Sequence, residues 1–518
     1  MTDFFQDPPR RGNPYLDDPL LAAHLRRVLP AEVQKEVEED LVRWGDRLVE
    51  EVVSYQEDAE ANEPSLVQWD PWGRRVDRIV TSNGWRALKR VSAEEGLVAL
   101  AYERNHGPAS RIHQVAKLYL FHPWSAIYNC PLAMTDGAAR LIESLAPKEL
   151  EASFRRLASR DPKGFWTSGQ WMTEKTGGSD VQRSLTVAKK EGDDWTLWGK
   201  KWFTSATDAE MAFTLAKCDG DDRLSLFYLE TAGERGEWNG IRVDRLKDKL
   251  GTRALPTAEL TLEGAKARLV GERGAGVRNI AILFNVTRIH NAVSSVSSMR
   301  HIINLARDYA TKRVAFGAPL SEKPLHMETL GQMEATTQAC FHLLFRAAEL
   351  QGKVECGTAT ADEDKVLRLL TPLIKLYTAK EAVRVVSEGI EAFGGAGYIE
   401  DTGLPRILRD TQVLTIWEGT TNVLSLDALR AIHKEGAFGP FYTDLTDRLG
   451  RVADEALIND VEQLRQNAAG LHHTFSTLLH EPLEVQERHA RTFAIAMAQV
   501  YAGALLLEHE AWVRGRGD

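Results

Sequence analysis

One carboxylate in the second half of the chain is placed as an isolated base would be. Glu418 follows the apolar stretch Leu414-Thr-Ile-Trp417 and precedes Gly419 and a polar segment with which a helix could begin. Apolar neighbours would desolvate the carboxylate and raise its pKa towards working pH, which suits removal of a C–H proton. The competing interpretation is a helix cap, because an acid at a helix start complements the dipole by roughly 0.3–1 kcal/mol.

Far upstream lies a turn rich in small and polar residues, Met172-Thr-Glu-Lys-Thr-Gly-Gly-Ser-Asp-Val181. Its glycines, among them Gly178, let the backbone approach a ligand closely, and Thr173 and Ser179 add hydroxyl groups. Such a turn suits the polar edge of a flavin or a phosphate group. A tight loop between domains is the alternative, and the string alone does not decide between them.

Aromatic and hydroxyl side chains come together in Lys201-Trp202-Phe203-Thr204-Ser205, at the end of a predicted strand. The aromatic pair could wall a planar ring while a hydroxyl bonds to its edge. The alternative is ordinary alternation in the core of a β-sandwich.

Two further segments have the composition of a phosphate or adenine contact. Arg313-Val-Ala-Phe316-Gly ends a predicted helix, where arginine either complements the dipole or binds a ligand. Phe393-Gly394-Gly395-Ala-Gly follows another helix, either as a glycine cap or as backbone N–H groups for a pyrophosphate. Neither it nor the glycine cluster at 271–276 follows a strand of a βαβ unit, so no dinucleotide fingerprint is predicted.

Composition excludes several classes of protein. The 518 residues carry a net charge of −10, which disfavours broad attraction to nucleic acid or to anionic membranes but leaves a local basic groove open. The four cysteines are scattered, and the start of the chain resembles no secretory or transit signal, so a cytoplasmic protein is expected. No metal-binding histidine motif and no apolar run of about 18 residues is found, so neither a metal centre nor a membrane span is predicted.

The order of periodic patterns predicts a mainly α-helical protein with a central β-domain. Residues 1–165 form a predicted helical domain, interrupted by a loop at 63–72, and residues 166–275 form a middle β-domain. Because its strands do not alternate with helices, an antiparallel barrel or sandwich is expected. Residues 276–435 form a helical bundle that carries Glu418, and residues 436–518 form a helical extension.

Taken in order, these strings resemble the acyl-CoA dehydrogenase family of flavoproteins over roughly residues 80–435. The 172–181 turn is similar to the family's T-E-x-x-x-G-S-D loop, Trp202-Phe-Thr to its W-I-T strand, and Arg313-x-x-Phe316-Gly to its R-x-x-F-G segment. Gly394-Gly-x-Gly is similar to its G-G-x-G turn and Trp417-Glu-Gly-Thr to its Y-E-G-T loop. Within the family, the chain most resembles the alkylation-response, AidB-like branch.

The resemblance implies an N-terminal helical domain, a β-domain and a four-helix bundle, with non-covalent FAD between the last two and acyl-CoA as substrate. Glu418 would be the catalytic base. Ser179, Arg288 and Gly419 would contact the substrate. The residues implied to bind FAD are Met172, Thr173, Gly178, Ser179, Trp202, Phe203, Thr204, Ser205, Arg313, Phe316, Gly394, Gly395, Trp417, Thr420 and Asn422.

The resemblance also implies partners. Arg313, Phe316 and the Gly394-Gly395 turn would contact the FAD of a neighbouring subunit, so a homodimer or homotetramer is expected, with electron-transferring flavoprotein as the acceptor. The expected activity is α,β-dehydrogenation of an acyl-CoA thioester in fatty acid metabolism. Two alternatives stay open, namely acyl-CoA sequestration with little turnover and DNA binding in the alkylation response. Residues 431–518 carry a net charge of −5, the wrong sign for contacting phosphates.

Overall fold

The computed structural model describes residues 5–146, 148–192, 194–233 and 236–516. The chain divides into two compact units. Unit 1 comprises residues 1–50, Arg104–Pro123 and Asn291–Asp518, and unit 2 comprises Glu51–Glu103 and Trp124–His290. The expected mostly helical fold with a central β-domain is confirmed.

Unit 2 contains the large sheet and several helices. Its helices are α3 (Val53–Ala61), α4 (Asn83–Glu94), α5 (Leu100–Glu103), α7 (Asn129–Leu145), α8 (Glu151–Leu157) and the first part of α9 (Gly276–Lys312). Its strands are β1 (Ser65–Trp69), β2 (Arg75–Val80), β3 (Ser168–Trp171), β4 (Val187–Glu191), β5 (Asp194–Ser205), β6 (Met211–Cys218), β7 (Leu224–Glu230), β8 (Ile241–Leu246) and β9 (Thr257–Val270).

The described part of strands β3 to β9 forms one seven-stranded sheet that closes on itself. Strand β4 pairs with β5, β5 with β9, β9 with β7, β7 with β6, and β6 with β4. Strand β3 also pairs with β6, and β8 also pairs with β9. The pairs are mostly antiparallel, as expected, but β6 lies parallel to both β3 and β4. Local alternation cannot reveal this, because the direction of pairing depends on which strand the long connection returns to.

The segment predicted as a loop at residues 63–72 is part of a β-hairpin. Strand β1 pairs with β2, and the chain turns at Gly73, which has a positive φ of 78°. The prediction gave too much weight to Pro64 and too little to the β-favouring residues of Leu66-Val-Gln-Trp69. Proline is tolerated directly before a first strand residue, so it does not exclude the hairpin.

Unit 1 is almost entirely helical in its described residues. Its helices are α1 (Pro19–Val28), α2 (Ala31–Arg47), α6 (Ala109–Phe121), the remainder of α9, α10 (Pro324–Glu355), α11 (Ala361–Glu391), α12 (Leu404–Gln412), α13 (Thr421–Glu435), α14 (Phe438–Arg451), α15 (Ile458–Leu478) and α16 (Leu483–Arg516). A short hairpin follows α9, with strands β10 (Val314–Ala315) and β11 (Ala318–Pro319).

Helices α10, α11 and α16 supply much of the unit 1 core. Phe341 and Phe345 are buried on α10, Leu373 and Ile374 on α11, and Tyr501 on α16. Among the described helices, α16 is apolar and long enough to cross a membrane, although 56% of its most apolar window is buried inside the protein. The mean hydropathy of this window is high, although polar residues interrupt the apolar run.

Candidate functional site

The 172–181 turn in unit 2 is anchored by a buried carboxylate. Glu174 accepts hydrogen bonds from the Ser184 hydroxyl, from the Leu185 amide at 2.6 Å and from the Thr186 hydroxyl at 2.5 Å, and it forms an ion pair with Lys201 at 2.9 Å. Burial favours the neutral acid, but Lys201 and the hydrogen bonds outweigh burial and lower the pKa of Glu174 to about 2. The turn is therefore held by a charge that stays ionised.

Backbone conformation and close packing require small residues at two positions of this turn. The Glu174 and Gly177 backbones form an isolated bridge, and Gly177 has a φ of 136°, a conformation that side chains disfavour. A Cβ on Gly178 would lie 2.7 Å from the Thr173 hydroxyl oxygen. Gly178 and Ser179 are exposed, whereas Met172 is buried. The turn thus presents backbone and hydroxyl groups to a ligand.

The aromatic segment of β5 adjoins this turn. The Trp202 amide donates to the Thr173 carbonyl at 2.8 Å, and the pairing of β5 with β9 is irregular between Lys201 and Thr204. The Lys247 ammonium lies 3.4 Å from the centre of the Trp202 ring, and Phe203 is 49% exposed. The structure therefore brings the two predicted FAD segments of unit 2 together and leaves their aromatic surface partly open.

The hydroxyl groups at the end of β5 are turned into the sheet. Thr204 is fully buried and donates to the Ala258 carbonyl at 2.8 Å, and the Ser205 hydroxyl lies 3.3 Å from that of Thr257. With its proton committed to Ala258, the Thr204 side chain offers a ligand only an oxygen acceptor. Arg288, the predicted thioester neighbour, is half-buried on the unit 2 part of α9.

Glu418 lies in unit 1, in a loop formed by residues 417–420 that we call the base loop. Its backbone is left-handed, with a φ of 57°, and the next residue, Gly419, has a φ of 103°. The base loop is held by Lys375, a buried residue of α11 whose ammonium donates to the Gly419 carbonyl at 2.6 Å. Helix α13 begins at Thr421 with Thr420 as its N-cap, so Glu418 is not the cap residue.

The other predicted residues of this segment lie in the base loop or directly after it. Trp417 is half-buried, and Thr420 and Asn422 are exposed. The Asn422 side-chain oxygen accepts from Arg491 of α16 at 3.2 Å, so the helical extension contacts a predicted FAD residue.

The Arg313 and Gly394 segments of unit 1 are joined through aromatic rings. The Arg313 amide donates to the Tyr309 carbonyl at 2.9 Å, and the Tyr309 ring lies 4.8 Å from that of Phe393, directly before Gly394. Phe316 stands at the tip of the β10–β11 hairpin, 98% exposed and with a φ of 50°. A bulky side chain is disfavoured in this backbone conformation, and Phe316 buries almost none of its surface within the chain.

The glycine turn after α11 has an accessible backbone. Gly394 has a φ of 60°, and no described atom lies within 4 Å of a Cβ built on Gly394 or Gly395. Gly397 differs, since a Cβ there would lie 2.1 Å from the Ile390 carbonyl oxygen. The first two glycines therefore leave room for a ligand, and Gly397 is required by packing.

The sequence prediction missed the residues that position these segments. Glu174, Lys201 and Lys375 are buried charges whose partners lie far away in sequence or are backbone carbonyls. Glu174 and Lys201 both stand inside motifs described above, but those motifs do not show that the two side chains pair. Nothing local to Lys375 marks it as a contact of Gly419.

Four family models match the chain in sequence. The adaptive response protein AidB N-terminal domain matches residues 6–161, and the acyl-CoA dehydrogenase middle domain matches residues 169–265. The acyl-CoA dehydrogenase C-terminal domain matches residues 274–433, and the acyl-CoA dehydrogenase 11 C-terminal domain-like model matches residues 437–517.

Whole-chain relatives give the same result. Acyl-CoA dehydrogenase family member 11 of Caenorhabditis elegans is 46% identical over 98% of this chain and 85% of its own length. Putative acyl-CoA dehydrogenase AidB of Escherichia coli is 32% identical over 80% of this chain and 78% of its own. The crystal structure of Caenorhabditis elegans ACDH-11 in complex with C11-CoA covers 99% of this chain and 90% of its own, with a TM-score of 0.96 and 46% identity.

The chain therefore belongs to the acyl-CoA dehydrogenase family and carries the AidB-type N-terminal domain. Members of this family are FAD-dependent oxidoreductases that act on CH–CH bonds of acyl-CoA. The residues present fit this cofactor, because the exposed 172–181 turn, the Trp202–Phe203 surface and the open Gly394–Gly395 backbone supply polar, aromatic and close-approach groups.

Proposed function

We propose that this protein removes hydrogen from Cα and Cβ of an acyl-CoA thioester, with Glu418 as the base that takes the α-proton. The observation that supports this most directly is the backbone of Glu418. A left-handed conformation at a residue with a side chain costs roughly 1–2 kcal/mol, and Glu418 adopts it between an apolar turn and a glycine with φ above 100°. Such strain is typical of functional residues that the surrounding structure holds in place.

The base loop supports proton removal in two ways. The Lys375 bond to the Gly419 carbonyl fixes the peptide beside Glu418. The side chain of Glu418 is half-buried, so less water competes for its carboxylate than at an exposed site. When bound, FAD supplies the acceptor for the hydride that leaves Cβ.

The remaining assignments follow the motifs. In unit 2, Met172, Thr173, Gly178, Ser179 and Trp202 are proposed to hold the flavin ring. Thr204 contributes an acceptor rather than a donor, because its proton is used by Ala258. Ser179, Arg288 and Gly419 are proposed to contact the thioester or its CoA portion. The Caenorhabditis elegans ACDH-11 complex with C11-CoA supports an acyl-CoA ligand for this chain.

The decisive experiment replaces Glu418 with Gln. Glu418→Gln keeps the size of the side chain but cannot accept the α-proton at neutral pH. We expect the variant to purify with its yellow FAD and to bind acyl-CoA. Anaerobic mixing with a medium-chain acyl-CoA should then bleach the flavin at least about a thousandfold more slowly than in the wild type, about 4 kcal/mol in activation free energy.

Glu462→Gln is the matched control, since Glu462 is an exposed carboxylate on α15. It should bleach at the wild-type rate. Unchanged bleaching in Glu418→Gln would remove Glu418 from its role. A wild-type protein that binds acyl-CoA tightly but bleaches no faster than Glu418→Gln would instead favour sequestration.

Three further properties are proposed. We infer a homodimer or homotetramer, because the exposed Phe316 hairpin and the open Gly394–Gly395 turn lie in the segments through which the family contacts a neighbouring subunit's FAD. Electron-transferring flavoprotein is the proposed acceptor and the cytoplasm the proposed compartment. Reoxidation of the reduced enzyme with that flavoprotein tests the acceptor, and fractionation of the source cells tests the compartment.

A further inference from the structure

Three histidines from helices far apart in the chain meet inside unit 1. His24 lies on α1, His342 on α10 and His509 on α16. The ring centres of His342 and His509 are 4.5 Å apart, and one ring nitrogen from each histidine lies within 4.8 Å of the others. The three side chains are respectively 3%, 1% and 5% exposed.

Several nitrogens of this cluster have unmet hydrogen-bonding capacity. Within the described residues, neither ring nitrogen of His342 has a hydrogen-bond partner, and the same holds for Nδ1 of His24 and of His509. A buried polar atom without a partner costs roughly 1–3 kcal/mol. The His24 ring also packs against Phe341 and Phe345, but aromatic packing satisfies neither an N–H group nor a lone pair.

The surroundings keep the imidazoles neutral. Burial is the main cause that lowers the pKa of His24 and of His342, and the positive charge of Arg27 and the neighbouring histidines add to it. Burial and Arg27 lower the pKa of His509 to about 4. At neutral pH each ring therefore has a lone pair available, which is the form in which histidine binds metals.

We propose that His24, His342 and His509 form a binding site for one zinc-class divalent metal ion. Neutral imidazoles suit Zn²⁺ and its transition-metal neighbours, and three histidines with a fourth open position are a known zinc ligand set. The centre of a triangle with 4.8 Å sides lies about 2.8 Å from each corner, so ligand distances of about 2.1 Å need ring movements below about 1 Å.

A cavity beside two of the histidines can supply a fourth ligand. It has a volume of about 370 Å³ and is lined by His24 and His342. Arg27 also lines the cavity, and its positive charge opposes a second cation. Glu508, which is next to His509 in the chain, lies 3.4 Å from Arg27 and offsets that charge. Glu508 also binds Arg448. Water from the cavity can complete a tetrahedral site, and the ion would tie α1 and the helical extension to α10.

This site escaped the sequence prediction, which found no metal centre because no local histidine motif is present. The ligands come together only when the first helix, the bundle and the extension pack. The proposal is independent of the dehydrogenase assignment, because it concerns neither FAD nor Glu418.

The test uses the full chain with its FAD. After dialysis against a chelator, the protein is titrated with Co²⁺, whose tetrahedral complexes absorb at wavelengths longer than the flavin bands. We expect one Co²⁺ per chain, displacement by Zn²⁺, and a Zn²⁺-dependent rise in melting temperature. Inductively coupled plasma mass spectrometry of the undialysed protein should show a bound transition metal.

His509→Gln should weaken Co²⁺ binding by more than about tenfold, since loss of even an outer partner of a ligand typically costs 10–100-fold. His473→Gln, on the exposed face of α15, is the matched control and should bind normally. Equal binding in wild type and His509→Gln overturns the proposal. Should His509→Gln not fold, a wild-type protein without tetrahedral Co²⁺ absorption and without a Zn²⁺ effect on melting overturns it equally.

Discussion

At the scale of single residues, the buried pair Glu174–Lys201 has a predictable effect on stability. Removing one member leaves the other charge buried without compensation, which typically costs 3–5 kcal/mol, whereas replacing both with uncharged side chains costs much less. We expect Glu174→Gln to lower the free energy of unfolding by several kcal/mol and to weaken FAD retention. The double variant Glu174→Gln/Lys201→Met should recover most of the stability in urea unfolding of the FAD-free chain.

The same pair predicts a pH dependence with a defined sign. The folded pKa of Glu174 is about 2, below the usual glutamate value of 4.5, so its stabilisation is complete above pH 4.5 and is lost as pH falls towards 2. A shift of this size corresponds to about 3 kcal/mol. Relative to the double variant, the wild type should therefore lose stability in that window. A constant difference between them from pH 5 to about pH 2.5 would contradict the assignment.

An exposed ion pair provides the control for both measurements. Arg155 and Glu151 form an i,i+4 pair on the surface of α8. Exposed pairs contribute about 0–1 kcal/mol, so Glu151→Gln should change neither the stability nor its pH dependence by more than that. A loss as large as that of Glu174→Gln would mean that carboxylate removal is harmful in general.

At the scale of elements, the contact between α11 and the base loop determines how Glu418 is positioned. Lys375→Met should preserve packing on α11 but leave the Gly419 carbonyl without its donor, at a cost of roughly 1–3 kcal/mol. Because the loop then moves relative to the substrate, we expect the flavin reduction rate to fall about tenfold or more, with FAD content unchanged.

Lys380→Met is the matched control, because Lys380 lies on the exposed face of the same helix. Anaerobic stopped-flow at saturating acyl-CoA separates the reduction rate from substrate binding. Lys375→Arg should restore part of the rate by providing a donor at the same position. If Lys375→Met lowers only the melting temperature, Lys375 supports folding and not the base loop.

The elements also show how far the sequence alone could lead. Apolar periodicity predicted the helices and most strands, because it reflects which face of each element is buried. It misassigned the β1–β2 hairpin, where proline and tryptophan suggested a loop, and it could not give the parallel pairing of β6. Segments rich in glycine and hydroxyl groups led to the candidate site residues, whose roles stay predictions. Buried partners such as Lys375 depend on distant packing and were invisible.

At the scale of the whole molecule, the β10–β11 hairpin supports the proposed assembly of subunits. Its two-residue turn, Phe316-Gly317, has positive φ at both positions, for which Asn-Gly is the favoured sequence. Phenylalanine is disfavoured there by roughly 1 kcal/mol and is almost fully exposed to water. Neither the turn nor the subunit core explains this choice, so we expect the side chain to contact a second subunit or its FAD.

Phe316→Asn separates these roles because it removes the ring and relieves the backbone strain at once. The isolated chain should melt at the same or a slightly higher temperature, while light scattering should show a smaller assembly and gel filtration a loss of FAD. Val314→Asn is the control, because Val314 is an exposed residue of β10 in the same hairpin. This variant should keep both assembly and FAD. A Phe316→Asn protein with wild-type mass and full FAD content would confine Phe316 to the turn and would leave the subunit contact to other exposed residues such as Tyr398.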